Sequence, residues 1–363
     1  MTLLKIAVFY DYFDGKGGAE RQVLNLAKGL RADIYTCFVN WENVDAEMRH
    51  FNIHEIGLIF KESKVLKRPE IFSRYSTLSV EGYDVYLFCG LHCLSATRNK
   101  PNMWIAPGII QYIYDKSEHT FVSSSYLHKW QMPFFDIWCS MYKRLDQAWV
   151  KKIDKIISNS IQTQTDIIKY YGRDSKIVYP GIDTSKFKCK SYENFILLPS
   201  RLVKEKRIDL IINAFKEMPN RFLLIAGDGS EKKNLENLAY GARNIHFLGS
   251  LNYEDLIDLY SRCTATIGMS ISESFGLVPV ESMASGKPAV GVNSTGYKET
   301  ILSGRTGFLI EPTKEEIKRA VKLLTPEFAA TMKTSCIKQA KRFDVSVFIE
   351  KVRENIVDLT LAN

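Results

Sequence analysis

The stretch Ser270-Ile271-Ser272-Glu273-Ser274-Phe275-Gly276-Leu277-Val278-Pro279-Val280-Glu281 decides how this chain is read. The apolar run at 265–268 before it reads as a buried strand. The loop ends at Gly276, and a helix is expected over 277–284. Pro279 falls in the first turn of that helix, where a missing N–H costs nothing. The free N–H groups of Gly276, Leu277 and Val278 make an anion site at the helix start. Glu273 lies at the loop tip, and Glu281 lies eight residues on, inside the helix. Carboxylates accept hydrogen bonds from sugar hydroxyls. Two of them flanking an anion site suit a ligand with a sugar at each end of a diphosphate, which describes a nucleotide-sugar. Their spacing alone does not make a hydrolase pair.

Outward from this stretch the chain alternates strands and helices. Strands are expected at 4–10, 34–39, 52–58, 84–89, 154–158 and 176–179, with helices at 19–30 and 162–171 among them. A second series follows, with strands at 195–199, 222–227, 244–247, 265–268, 288–291 and 307–310. Helices at 207–216 and 231–239 lie within it, the latter with Ser230 placed to cap it. Alternation of this kind builds parallel sheets with right-handed crossovers. Two series of similar length mean an α/β chain of two Rossmann-like domains, joined by a linker around 179–192. Parallel sheets bind ligands beyond the carboxyl ends of their strands. Beyond the strand at 195–199 come Arg201 and Lys206, a fork and a point charge able to grip a diphosphate. Beyond the first strand comes Gly15-Lys16-Gly17-Gly18, directly before a helix. Glu20 stands where a dinucleotide fingerprint needs its third glycine, and no P-loop pattern is present.

Composition fits this picture. The 363 residues are 45% hydrophobic and 25% charged, as in ordinary folded proteins, and the longest apolar runs fall far short of the ~20 residues that span a bilayer. Met1-Thr2-Leu3-Leu4-Lys5 leads straight into a strand-like run, which argues against a secretory leader. The net charge of +8 is spread evenly, with 23 basic against 19 acidic residues through Pro180 and 26 against 22 after it. A nucleic-acid arm would concentrate that excess, so no nucleic-acid partner is expected. Seven cysteines without zinc-site spacing read as reduced, mostly buried thiols of a cytoplasmic protein.

One segment breaks the rhythm. Residues 120–155 hold Phe121, Tyr126, Trp130, Phe134, Phe135, Trp138, Met141, Tyr142 and Trp149, with Lys143, Arg144, Lys151, Lys152 and Lys155. A long amphipathic helix is expected over 134–152. It reads either as a patch for an anionic membrane surface or lipid-linked acceptor, or as a helix packed on the sheet.

From 154 to 322 the chain resembles the retaining glycosyltransferases of family 4, with GT-B architecture. The stretches that carry the likeness are IISNSIQTQTDIIKYYGRDSKIVYPGIDTSKF, LPSRLVKEKRIDLIINAF, LLIAGDGSEKKNLENLA, IHFLGSLNYEDLIDLYSRC and SESFGLVPVESMASGKPAVGVNSTGYKETILSGRTGFLI. They stand in the family's order and at its spacing. The start, KIAVFYDYFDGKGGAERQVLNLAKGL, fits the family's opening as well. The resemblance implies two domains facing a central cleft. Residues 1–185 and a returning C-terminal helix at 344–363 would form the acceptor-binding domain, and 190–343 the donor-binding domain. It implies an enzyme that transfers a hexose with retention to a glycan or lipid-linked hydroxyl in cell-surface glycan assembly. The stretch QYIYD is similar to mannosyltransferases, so GDP-mannose is the favoured donor, with UDP-sugars as alternatives.

The family's roles fall on matching positions. Arg201 and Lys206 would stabilise the diphosphate, and Glu273 would meet hydroxyls of the transferred sugar. The N–H groups at Phe275, Gly276, Leu277 and Val278 would face sugar and phosphates, Glu281 would hold the ribose, and Gly17 and Gly18 would lie near the diphosphate. The family needs neither cofactor nor metal for this, and the chain has no Asp-x-Asp triplet. One departure stands out: where many relatives carry a histidine before the aromatic Tyr-x-Tyr-Asp element, WIAPGIIQYIYD places Pro107. His92 is the nearest substitute, following the strand at 84–89 and expected to face the cleft; His119 is a weaker one. The departure keeps open an alternative, a catalytically silent or weakly hydrolytic sugar-nucleotide-binding protein of the same fold. Location is expected to be cytoplasmic, with peripheral membrane contact.

Overall fold

A computed structural model describes the chain except residues 1–3, 16, 64–65, 118, 121–130, 272 and 363. Lys16, Phe121, Tyr126, Trp130 and Ser272 therefore lie outside the described residues. Two compact units result: residues 1–179 with 349–363, and residues 180–348.

The first unit is built on a seven-stranded sheet. Its strands are β1 (Ile6–Tyr10), β2 (Asp33–Thr36), β3 (Ile53–Glu55), β4 (Val85–Phe88), β5 (Asn102–Ala106), β6 (Lys155–Ser158) and β7 (Lys176–Ile177), in the order β3-β2-β1-β4-β5-β6-β7. Every pairing is parallel. The central strands β1 and β4 are apolar along almost their whole length because both sheet faces are covered. The helix Gly18–Leu30 buries Val23, Leu24, Leu26, Ala27 and Leu30, the face its 3.6-residue period marks out. The strand β5 is absent from the sequence-based expectation: its run is short, opens on Asn102 and is bounded by Pro101 and Pro107. The helix Val345–Ala362 buries Phe348, Ile349, Val352, Ile356 and Leu359. From Ile349 on it belongs to the first unit. A methyl group on Gly29 would lie 2.6 Å from the Ile349 side chain, and Asp358 pairs with Lys155 and Lys176 at 3.1 and 3.0 Å.

The second unit holds a six-stranded parallel sheet. Its strands are β8 (Phe195–Pro199), β9 (Phe222–Ala226), β10 (Ile245–Gly249), β11 (Ala265–Ile267), β12 (Ala289–Val292) and β13 (Gly307–Ile310), in the order β10-β9-β8-β11-β12-β13. Again all pairings are parallel. One expectation fails at the helix Lys232–Leu238. Its first flanking residue is Glu231, and no side chain caps it. Ser230 is one residue too early. Main-chain bonds serve instead: the Glu231 N–H goes to the Leu202 carbonyl at 2.8 Å, and that of Lys232 to Gly229 at 3.1 Å.

In both sheets strand order reverses at one place, between β1 and β4 in the first and between β8 and β11 in the second. In open parallel sheets the loops that leave the carboxyl ends at such a point diverge, and ligands bind in the crevice between them. Here these loops are 11–17 and 89–93 in the first unit, and 200–207 and 268–276 in the second.

Candidate functional site

At the switch point of the second unit, two loops bring opposite charges together. Arg201 is exposed directly beyond β8. The short 3-10 turn Lys204–Lys206 ends at Arg207, whose φ of 50° reverses the chain into the helix Ile208–Lys216. That turn delivers Lys206 across the gap, where its Nζ lies 2.6 Å from Glu273 Oε2. Both side chains are about a quarter exposed (24% and 22%), open enough to meet a ligand yet partly desolvated.

Behind Arg201 the backbone is held by its neighbour. The Leu202 N–H goes to the Asp228 carbonyl at 2.9 Å. Side chains at Gly227 and Gly229 would strike the carbonyls of Ser200 and Leu202 at 1.9 and 2.4 Å, so glycine is what lets these two loops touch.

Gly276 has φ of 83° and stands just before the helix Leu277–Ala284, whose start no side chain caps. The Gly276, Leu277 and Val278 N–H groups thus stand at this uncapped start, where the sequence leads one to expect an anion. Phe275 is buried (3%), stacked edge-on against Phe343 at 5.3 Å, so its backbone and not its ring serves the loop. Glu281 differs sharply from Glu273. It is 2% exposed, and its Oε2 accepts a hydrogen bond from the Tyr260 hydroxyl at 2.7 Å. The sequence puts it a turn deeper but does not disclose the buried tyrosine that holds it.

The first unit's switch point is arranged otherwise. Asp11, at the end of β1, accepts N–H bonds from Leu91, His92 and Cys93 at 3.1, 3.1 and 2.7 Å. Gly90 is the close approach that allows it, since a methyl group there would lie 2.3 Å from Asp11 Oδ1. His92 does not stand open on its loop. It is buried (6%), its Nδ1 lies 2.5 Å from the Tyr142 hydroxyl, and burial lowers its pKa. His119 stands 3.2 Å from Asp136 and beside the Phe135 ring. Pro107 offers only its carbonyl, which accepts from Asn159 at 2.8 Å. Gly17 flanks the helix Gly18–Leu30 with extended backbone, and the Glu20 carboxylate folds over it: a methyl on Gly17 would lie 2.3 Å from Oε2. A first-turn carboxylate complements the helix dipole, as a ligand's phosphate would.

The long helix is Met132–Lys151. Cys139, Tyr142, Asp146, Trp149 and Val150 face inward, while Phe134, Ile137 and Met141 are 70%, 69% and 48% exposed. Its buried side packs on the aromatic core, with Trp138 stacked on Tyr142 at 4.9 Å. Asp146 is buried between the hydroxyls of Tyr114 and Tyr171, each at 2.6 Å, and burial raises its carboxyl to about 6. Among the described residues, no helix is long and apolar enough to cross a membrane. Six of the seven cysteines are buried; Cys189 is intermediate.

Comparison with known proteins agrees with the fold. Residues 182–343 match the family described as glycosyl transferases group 1. The chain is 25% identical to the alpha-1,3/1,6-mannosyltransferase ALG2 of Dictyostelium discoideum, over 87% of this chain and 88% of that protein. It is 29% identical to an uncharacterized glycosyltransferase of Methanocaldococcus jannaschii, over 44% of this chain. That match spans under half of the relative, 45% of its length. Among solved structures, Anabaena HepE in complex with UDP and glucose superposes with a TM-score of 0.75 at 20% identity, covering 98% of this chain and 99% of that one. Sucrose-phosphate synthase from Thermosynechococcus elongatus gives 0.79 at 16% identity, covering 99% and 100%. These likenesses establish the fold as GT-B.

Proposed function

We propose that the protein transfers a hexose, mannose by preference, from a nucleoside-diphosphate sugar to a hydroxyl of a glycan or lipid-linked acceptor, with retention, in cell-surface glycan biosynthesis; the match of residues 182–343 to the family of glycosyl transferases group 1 supports this reading. The observation that carries this reading is the Lys206–Glu273 pair, which joins the loop of Arg201 to its neighbour, together with the uncapped helix start at Gly276. Similarity to ALG2 mannosyltransferases of Dictyostelium discoideum and Homo sapiens supports mannose as the sugar, while Anabaena HepE, solved with UDP and glucose, keeps UDP-sugars as alternative donors.

In this reading Arg201 takes the diphosphate as a fork. Lys206 has three N–H donors, enough to keep Glu273 and add a phosphate oxygen. As the sugar–phosphate bond breaks, negative charge grows on the leaving diphosphate. Arg201, Lys206 and the N–H groups at 276–278 would meet that charge, which would favour the transition state over the ground state. Those groups supply the positive charge that a metal ion brings elsewhere, so activity should survive EDTA. Glu273 accepts hydrogen bonds from the sugar, and Glu281 from the ribose. With His92 buried and bound to Tyr142, the acceptor's proton is left to the departing phosphate. Phe134, Ile137 and Met141, with Arg144 and Lys151 further along the same helix, favour peripheral contact with an anionic membrane on the cytoplasmic side. Flotation with anionic liposomes at low salt tests that contact, and a protein that stays with the aqueous fraction excludes it.

Thermal-shift measurement with GDP, UDP, ADP and NAD, followed by product NMR from GDP-mannose, UDP-glucose and UDP-N-acetylglucosamine, tests the whole. Stabilisation by GDP and an α-linked product are expected. Preferential stabilisation by NAD would sink the reading. Pro107 in the histidine position motivates the second reading, a silent or weakly hydrolytic sugar-nucleotide binder. Donor binding without transfer to any hydroxyl acceptor would select it.

A further inference from the structure

Glu281 is out of place for stability alone. The helix Leu277–Ala284 buries Pro279, Val280, Ser282, Met283 and Ala284 along with it. An acid that is 2% exposed among such neighbours carries a desolvation cost that an apolar side chain of similar size would not. What holds its carboxylate is Tyr260, itself fully buried, whose hydroxyl donates to Oε2 at 2.7 Å.

The tyrosine is in turn fixed from outside the site. It lies in the helix Tyr253–Arg262, whose last turn is clamped by the segment at 190–193. The Lys190 N–H donates to the Ser261 carbonyl at 2.9 Å, and the Glu193 N–H to the Arg262 carbonyl at 2.8 Å. Side chains repeat the tie: Lys190 pairs with Asp258 at 2.8 Å, and Arg262 with Glu193 at 2.9 Å. The Tyr260 ring meets the Phe187 ring edge-on, with centroids 6.0 Å apart. Backbone, charge and ring contacts together fix the direction of the Tyr260 hydroxyl.

We propose that Tyr260 is a positioning residue for ribose recognition: its hydroxyl aims the Glu281 carboxylate at the 2′- and 3′-hydroxyls of the donor's nucleotide, so that the site favours a ribonucleoside diphosphate over its dideoxy counterpart. The inference rests on the donor-site reading above. A carboxylate offers roughly four acceptor positions, of which the tyrosine takes one. The ribose hydroxyls do not change as the sugar–phosphate bond breaks, so hydrogen bonds to them favour ground state and transition state alike. The effect of Tyr260 therefore falls on donor affinity and leaves the chemical step to the diphosphate end of the site.

The test is Tyr260→Phe in the full chain, which keeps the ring and removes the hydroxyl. Binding of GDP and of 2′,3′-dideoxy-GDP is measured by calorimetry, with UDP and its dideoxy form in parallel. One hydrogen bond to a charged group is a factor of about ten, so two of them should give wild-type protein about a hundredfold preference for the ribonucleotide. In Tyr260→Phe, Kd for GDP should rise about tenfold and Kd for dideoxy-GDP stay within twofold, which shrinks the preference to about tenfold. Donor KM rises with it, while kcat stays within twofold. Glu281→Gln should shrink the preference as well. Adding Tyr260→Phe to Glu281→Gln should change it no further, since the tyrosine acts through that carboxylate. A tyrosine that merely packs the two helices together would lower the melting temperature and weaken both nucleotides alike. An unchanged preference in Tyr260→Phe overturns the inference, as does a further loss of preference in the double variant. If wild-type protein binds both nucleotides equally, Glu281 does not meet the ribose, and the inference falls while the donor site stands. If wild-type protein binds no nucleoside diphosphate, the donor-site reading itself fails and takes the inference with it.

Discussion

The two switch points of this molecule are alike in topology and opposite in chemistry. Both lie where a parallel sheet reverses its strand order, and both have a glycine before a helix. In the first unit the carboxylates are spent on the protein itself. Asp11 binds three backbone N–H groups, and Glu20 folds over Gly17 at the helix start. In the second unit Lys206 and Glu273 meet at the surface, Arg201 is exposed, and no side chain caps the helix at Gly276. The fold supplies the place. Whether the place is filled from within or left for a ligand depends on a few side chains.

That contrast can be broken or sharpened by substitution. Asp11→Ala should have the largest effect: it strands three N–H groups and should cost about 3 kcal/mol, read as a lower denaturation midpoint. A midpoint shift below a third of that would show that Asp11 is not the pin of its loop. Asp146→Asn comes next. The folded carboxyl is raised to about 6 by burial, so the proton favours the folded state. Wild-type stability is therefore greatest below the ordinary carboxylate range and falls as pH rises from about 4 to about 6, by up to about 3 kcal/mol. The variant should lack that slope, and chemical denaturation across this range will tell. Lys206→Ala, on the ligand side of the contrast, should behave inversely to Asp11→Ala. Its partly exposed ion pair contributes little to folding, yet turnover should drop at least tenfold, about 1.4 kcal/mol in the barrier. A wild-type rate would remove Lys206 from the site. The smallest effect belongs to Glu20→Gln. If Gly17 and Gly18 meet the diphosphate, donor KM should fall about twofold, a few tenths of a kcal/mol, as expected for a charge at an exposed helix start. An unchanged KM would take that loop out of donor binding.

Much of this was legible in the sequence because it is written in local pattern. Apolar runs gave twelve of the thirteen strands, and β5 was lost because prolines and Asn102 interrupt its run. The helix start at Gly276 with Glu273 before it, and Arg201 with Lys206 beyond β8, follow from spacing along two separate loops. What could not be read are partners distant in the chain. Tyr260 on Glu281, Tyr142 on His92 and Asp11 on the turn at 91–93 are all contacts made by the tertiary fold. The glycines at 227, 229, 268 and 291 are the one trace such contacts leave, since each marks a backbone that something else must approach.

The helix Val345–Ala362 has a consequence in time. The first unit is interrupted: its sheet comes from residues before 180, but the side chains that cover Gly29 and pair with Lys155 and Lys176 arrive only after residues 180–348. At the pace of a ribosome, those intervening residues take roughly 10 to 30 seconds to make. The second unit is contiguous and can finish as it emerges. The unit that begins the chain is thus the last to be complete, and it waits through that interval with the place for Ile349 empty.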